Sequence, residues 1–382
     1  LQNSRLSMNK NTLDISFFQN TFKFKRSYCI FLAVLLRALL VCETVCLARL
    51  SSYLGYKNCA SAYQRIRRFL ENIHFAQEQL ADAFVRITSL NAYPKWVLIL
   101  DRTYWQFGKT HLNFLYLSVS AGPFCIPLFF NLLGPDKKGN SSFEERKTIL
   151  DLFFKCFDKT RIQYILGDRE FIGEQWLNYL KEHDIPFAQR LREKGQKIAN
   201  TKGEMLKAHE LFHDIKVGEE RDLGLRKIGS KKGTSLELHI IGTRSIKGDL
   251  VVLAYHHVDD PLLVYRNRWN IEICFRTLKS HGFHMEDSHV TKPHRITCLL
   301  NIVSLAYAVS VKIGAKLNDL KPIPIKNHGY PAKGFVRYAL DFIKPYLLTT
   351  FSPSRTTTNR LFLPPHFPLI PYNATSLTEN VG

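Results

Sequence analysis

Paired cysteines are missing from this sequence. Its eight cysteines, at 29, 42, 46, 59, 125, 156, 274 and 298, form no CxxC pair and no Cys/His spacing of a zinc site. That sets aside a zinc module and leaves free thiols suited to a reducing cytosol. No glycine-rich loop of the kind that cradles phosphates is present, so the usual sequence anchor for nucleotide binding is absent. No internal repeat occurs. The apolar run from Tyr28 to Cys42 follows Lys23, Lys25 and Arg26 but is too short to span a bilayer comfortably, and Arg37 interrupts it. It reads as a buried amphipathic helix, and no membrane partner is expected. Acidic residues are also scarce: 33 Asp and Glu stand against 53 Lys and Arg, a formal charge of +20. Such an excess favours a polyanionic partner. With 45% hydrophobic and 12% aromatic residues over 382 positions, the chain is globular and long enough for a sizeable core.

In chain order, residues 1–27 read as a loosely packed basic arm. Residues 28–92 have helical periodicity with Arg65, Arg67 and Arg68 interleaved, a helical domain suited to gripping DNA. After Pro94 the period changes. Trp96 to Leu100 is a continuous apolar run that delivers Asp101 at its tip, as a buried strand would. Asn113 to Ala121 and Phe124 to Leu133 follow as strands around a Gly122-Pro123 turn. Ser141 with Glu144 suggests a capping box for a helix whose apolar face holds Ile149, Leu150 and Phe153. Ile162 to Leu166 is a strand running into Gly167-Asp168-Arg169. A helix through Trp176 leads to a fifth strand at Ile185 to Ala188. Three strands, helix, strand, helix, strand is the order of a ribonuclease H-like core with a mixed five-stranded sheet, an α/β fold occupying residues 93–190 in its first part. Residues 191–257 read as a β-rich insertion with turns such as Lys231-Lys232-Gly233. Residues 258–348 carry a further helical part of the core, and 349–382 form a Pro/Ser/Thr-rich tail expected to be disordered.

The stretch YRNRWNIEICFRTLK, Tyr265 to Lys279, organises the chemistry. On one regular helix, Tyr265, Arg268, Glu272 and Lys279 fall within an arc of roughly 60°, with Arg276 close by. The same face also fits a solvated one with Arg268–Glu272 and Glu272–Arg276 pairs. Asp101, Asp168 and Glu272 would converge if their strands are neighbours. Three hard oxygen ligands suit Mg²⁺ or Mn²⁺.

Tyr-x₂-Arg-x₃-Glu-x₆-Lys, met in full by Tyr265, Arg268, Glu272 and Lys279, resembles the signature of the DDE transposases of bacterial insertion sequences, insertion sequence 4 family. Leu100-Asp101-Arg102-Thr103 and Gly167-Asp168-Arg169-Glu170-Phe171 look like its first and second Asp motifs, and the resemblance covers roughly residues 90 to 345. It implies Asp101, Asp168 and Glu272 as catalytic ligands of two metal ions. Tyr265, Arg268 and Lys279 would contact the DNA backbone, with Arg276 and Arg169 as secondary DNA contacts. The implied activity is cleavage at element ends and strand transfer into target DNA, by a homodimer in the DNA complex, in the bacterial cytoplasm at the nucleoid. The alternatives are a metal-dependent nuclease of the same fold, or a catalytically impaired DNA-binding relative that inhibits transposition. Members of that family stack a hairpin base on a tryptophan of the insertion. Residues 191–257 contain no Trp, leaving Phe212 or His213 as substitutes. His281, His284, Glu286, Asp287 and His289 read as structural, and so do His256-His257 beside Asp259-Asp260.

Overall fold

The computed structural model describes residues 15–107, 110–134, 139–229, 235–327 and 329–349. Five helices come first: α1 (Ile15–Phe22), α2 (Arg26–Cys42), α3 (Leu47–Ser51), α4 (Cys59–Asn72) and α5 (Gln77–Thr88). Then follow β1 (Trp96–Phe107), β2 (Thr110–Ala121), β3 (Phe124–Leu132), α6 (Phe143–Cys156), β4 (Ile162–Gly167), α7 (Glu174–Glu182) and β5 (Phe187–Arg190). The next segment supplies β6 (Lys197–Ala199), β7 (Met205–Lys207), α8 (Ala208–Leu211), β8 (Glu220–Gly229), β9 (Ser235–Arg244) and β10 (Leu250–His256). The chain closes with α9 (Pro261–Tyr265), α10 (Trp269–Arg276), α11 (Pro293–Leu320) and α12 (Phe335–Thr349). These elements group into two compact units. A sheet unit comprises Tyr93–Trp105 and His111–Cys274, and a helical unit holds the described residues up to Ala92, the piece around Gln106–Thr110 and those from Phe275 onward.

In the sheet unit the strand order is β3-β2-β1-β4-β5-β10-β9-β8-β6-β7. The first five strands form the ribonuclease H-like core: β2 pairs antiparallel with β3, while β4 is parallel to both β1 and β5. Central strands covered on both faces need apolar residues throughout, and Leu98, Ile99, Leu100, Ile165 and Leu166 are all buried. The expected β-rich insertion is continuous with the core sheet. Its last strand, β10, pairs antiparallel with β5, so the insertion extends the five-stranded core edge to edge into ten strands. An unpaired β5 edge would expose its amides, and β10 covers it. The capping box of α6 falls one residue later than expected: Ser142 Oγ accepts from Glu145 N–H (3.3 Å) and Glu145 returns the bond to Ser142 N–H (2.6 Å). The Lys231-Lys232-Gly233 turn and the 349–382 tail lie outside the described residues, apart from Thr349 at the end of α12.

The helical unit is built on apolar stripes. Ile15, Phe17, Phe18 and Phe22 of α1 are buried, and the Phe22 ring meets Phe75 edge-on at 5.1 Å. The described part of the expected loose arm is therefore a packed helix, because its aromatics repeat at helical spacing. Arg37, which interrupts the apolar run of α2, donates to Leu347 O in α12 at 2.5 Å, so its charge has a backbone partner inside the packing. Asn58 caps α4 by accepting from Ala60 N–H (2.8 Å) and Ser61 N–H (3.3 Å). At the far end of α4, Glu71 gathers Arg295, His294 (3.1 Å) and Lys292 (3.8 Å) from the start of α11. Helix α11 is long and apolar enough to cross a membrane, yet 94% of its most apolar window is buried within the chain.

Gly314 lets α11 and α12 approach: a Cβ there would stand 2.1 Å from Phe335 O. Backbone cannot yield as a flexible side chain can, so Gly314→Ala is expected to destabilise the protein by about 1–3 kcal/mol. Denaturant unfolding of the variant checks this, and an unchanged midpoint would contradict the close approach.

Candidate active site

Two parallel pairings set a common level across the core. Leu100 of β1 lies opposite Gly167 of β4, and Gly167 lies opposite Gln189 of β5. The next residues along the three strands are Asp101, Asp168 and Arg190. Gly167 is required by the neighbour on β5, since a Cβ would stand 2.1 Å from Oε1 of the fully buried Gln189. Asp101 is not at a strand tip as expected, because β1 continues to Phe107. It is β4 that stops, at Gly167, and its end leaves Asp101 beside Asp168.

The organising stretch is not one regular helix either. Asp260 caps α9 by accepting from Leu263 N–H (3.0 Å) with Pro261 at the first turn. A 3₁₀ turn at Arg266–Arg268 leads into α10, and a π-helical turn follows at Thr277–His281. Changes of helical pitch mean that a 100° wheel does not carry across the whole stretch. Asn270 ties α10 to the sheet, donating to Ser120 Oγ (2.9 Å) and Gly122 O (2.8 Å) at the β2–β3 turn.

This seating puts Arg268 among the carboxylates. Its guanidinium donates to Asp101 Oδ2 at 3.2 Å and, through its other terminal nitrogen, to Glu272 Oε1. Only 12% of the Arg268 side chain and 16% of that of Asp101 are exposed, so neither charge is relieved by water. Burial works against the Arg268 charge, but Tyr265, Asp101, Glu272 and Asp168 more than offset it and its pKa rises. The Asp101 carboxyl is pushed up to about 7, chiefly by burial, with Asp168 and Glu170 adding to the rise and Arg268 opposing it. Asp168 Oδ1 is buried with no hydrogen-bond partner, and Arg169 Nε stands 3.9 Å away. The Tyr265 hydroxyl is likewise buried and unpartnered, and burial raises its pKa.

A second set of contacts holds the Asp168 turn in place. Glu170 Oε2 pairs with Arg102 Nε (2.9 Å), and its Oε1 accepts from Ser141 Oγ (3.1 Å). Arg146, 5% exposed, donates to Ser141 Oγ (2.9 Å), Ser141 O (2.6 Å) and Glu170 O (2.9 Å). Burial lowers its pKa to about 10. Ser141 therefore serves this network rather than a helix cap. Sequence reasoning missed Arg146, whose only signal was a cation among the buried positions of an amphipathic helix. It also missed Arg190, signalled by its place at the end of the strand after the Asp168 turn. Arg190 Nη2 reaches Glu193 Oε1 and Leu250 O, both at 3.2 Å.

Of the residues expected at the site, the sheet unit brings together Asp101, Asp168, Glu272, Tyr265 and Arg268, with half-exposed Arg169 beside Asp168. Arg276, exposed, and Lys279, half-buried on the π turn with its pKa lowered by burial, belong to the helical unit. Phe212 is fully buried, its ring packed where a Cβ on Gly242 would stand, which removes it as a base-stacking platform. The His213 side chain is 78% exposed.

The donors suit a hard divalent cation: three carboxylates, one with an orphaned buried oxygen and one whose ionisation burial disfavours. The ribonuclease H-like core thus carries two acidic residues at one level of its central strands and a third on α10. Residues 139–309 match the family described as the transposase DDE domain, a span that holds Asp168, Tyr265, Arg268, Glu272 and Lys279 and begins after Asp101. No curated protein is matched. The chain is similar to a piggyBac transposase solved by cryo-EM in a synaptic complex with hairpin DNA. That likeness has 9% identity and a TM-score of 0.45, and covers 94% of this chain and 80% of that one.

Asp101 supplies a stability test. A carboxyl whose folded pKa is raised stabilises fully below its unfolded pKa near 4, and that contribution is lost as pH rises toward 7. In chelator, Asp101→Asn is expected to melt several degrees above the parent at pH 8, with the gap closing toward pH 4. Adding Mg²⁺ at pH 8 should raise the parent's melting temperature and leave that of the variant unchanged.

Proposed function

We propose that this chain is a DDE transposase of the insertion sequence 4 type, cleaving DNA at the ends of its element and joining the freed 3′-hydroxyl to target DNA. The observation that carries this reading is the convergence of Asp101, Asp168 and Glu272 around Arg268, the last two acids and Arg268 lying inside a segment similar to a transposase DDE domain. Asp101, Asp168 and Glu272 would hold two Mg²⁺ or Mn²⁺ ions. When bound, such ions lower the pKa of an attacking water or hydroxyl and stabilise the departing oxygen.

The protein's own groups position the DNA. Arg268 keeps a fixed cation among the carboxylates, and the buried Tyr265 hydroxyl has a hydrogen-bond donor to spare for a phosphate oxygen. Arg169 in the sheet unit, and separately Arg276 and Lys279 in the helical unit, would contact the DNA backbone, and such contacts orient without reading sequence. In the helical unit, Arg67 and Arg68 of α4 make no ion pair among the described residues, and Arg65 lies over the Phe31 and Tyr56 rings at 5.3 Å. Their helix is anchored instead through Glu71, which supports DNA contact by the face carrying these arginines. The partners are double-stranded element ends and target DNA, met by a homodimer on DNA in the bacterial cytoplasm.

The test uses purified protein, Mg²⁺ and the DNA flanking its coding sequence. Cleavage and strand transfer are expected, with both reactions falling about 10²–10³-fold in Glu272→Gln while DNA binding persists. Cutting without joining would assign a nuclease of the same fold. Binding with neither reaction would assign an inhibitor of transposition.

A further inference from the structure

At the other end of β5, Asp184, His256 and His257 meet. Helix α7 closes with Ile185 N–H donating back to Leu180 O (2.9 Å) and Asp184 N–H to Lys181 O (2.8 Å). Asp184 then takes φ 51°, a left-handed position where helices usually place glycine. Its carboxylate also sits at the negative end of the helix, where a cation is favoured and an anion is not. Asp184 thus has two local costs and no local compensation from its helix.

Phe187 of β5 pairs with His256 of β10, which brings the α7–β5 turn beside the end of β10. Successive side chains on a strand face opposite ways. Here β10 ends at His256 and His257 turns left-handed with φ 52°, so both rings stack at 3.8 Å and 23° between planes. His257 Nδ1 lies 3.3 Å from Asp184 Oδ1. One ligand atom from each of Asp184, His256 and His257 falls within 4.8 Å of the others, the one such trio among the described residues. Two of its three members hold strained backbone that serves to aim them at one another.

We propose that Asp184, His256 and His257 bind a transition-metal ion of the zinc class. Two imidazoles and one carboxylate suit Zn²⁺, Co²⁺ or Ni²⁺, whereas Mg²⁺ requires mainly oxygen donors. Lys181 at the same helix end, its ammonium on Glu237 O at 3.0 Å, further disfavours an ion held by charge alone. Asp259 and Asp260, the acidic neighbours in sequence, are not needed: Asp260 caps α9. Three protein donors leave a fourth position for water. The ion would fasten the turn before β5 to the segment that enters α9, and this does not depend on the proposed transposase activity.

The test takes the full-length protein, stripped with chelator and held in excess Mg²⁺ so that oxygen-rich sites are filled. Titrated Co²⁺ should give visible d–d absorption saturating at one equivalent, displaced by Zn²⁺, and Zn²⁺ should raise the melting temperature. His257→Ala and Asp184→Gly should each weaken Co²⁺ binding by at least about tenfold. Asp184→Gly also separates binding from folding, because glycine suits the left-handed position: in chelator it should melt no lower than the parent, yet lose the Zn²⁺-induced rise. Equal Co²⁺ affinity in parent and variants, or no saturable binding in the parent, would overturn the proposal.

Discussion

Packing three carboxylates against the middle of a mixed sheet is the constraint around which the sheet unit is arranged. Water cannot solvate Asp101 there, and Asp168 and Glu170 raise the cost of its charge. Arg268 is the fixed answer. Planar, bidentate and unable to lose its proton, it meets Asp101 with one nitrogen and Glu272 with the other. A lysine would offer a single point of charge and could neutralise on burial. The compensation is incomplete, since Asp101 still titrates near neutrality and one Asp168 oxygen has no partner. An incompletely compensated acidic cluster has a standing affinity for a divalent cation, and the proposed chemistry uses that residual cost.

Rigidity around the cluster comes from a second layer of contacts made by the neighbours of the acids, among them Arg102, whose backbone N–H also donates to Asp101 Oδ1 at 2.7 Å. Glu170 binds Arg102, the residue after Asp101, and Arg146 clamps the Glu170 carbonyl, two residues after Asp168. The two Asp-bearing segments are therefore linked through their neighbours. Arg146 can be buried because Ser141 and a backbone carbonyl take up its donors, with the Phe171 ring at 5.1 Å below its guanidinium. Geometry of this kind holds the acids in place without help from a ligand.

The core topology and the proximity of Asp101, Asp168 and Glu272 were legible in the sequence because each had a local cause. Apolar runs of β-branched and aromatic residues marked the strands, and the signature spacing marked Tyr265, Arg268 and Glu272. Where the reading failed, the deciding interactions were long-range or pitch-dependent. Asp101 stood at a tip only if β1 ended there, and what ends is its neighbour β4. The stretch from Tyr265 to Lys279 looked like a single helix, yet a 3₁₀ and a π turn change its phase. Arg146 had no sequence mark of its own, because its partners lie on the Ser141 loop and the Asp168 turn. The insertion's merger with the core depended on an edge pairing between β5 and β10, which residue patterns do not specify. Phe212 looked available because its burial under β9 at Gly242 is a tertiary contact.

That edge pairing explains how a large insertion can sit between the acid-bearing segments without displacing them. The chain leaves the core at Arg190, on the level of Asp101 and Asp168. It returns through β10, which runs antiparallel to β5 and ends with His256 opposite Phe187, on the far side of that level. The three-residue step from Phe187 to Arg190 is roughly 10 Å at strand rise. Two short helical segments, α9 and the 3₁₀ turn after it, recover a comparable distance at about 1.5–2 Å per residue. Arg268 consequently arrives back at Asp101. The length and content of the strands between β5 and β10 do not enter that relation. What the site requires of the insertion is only that its last strand pair with β5 in this register.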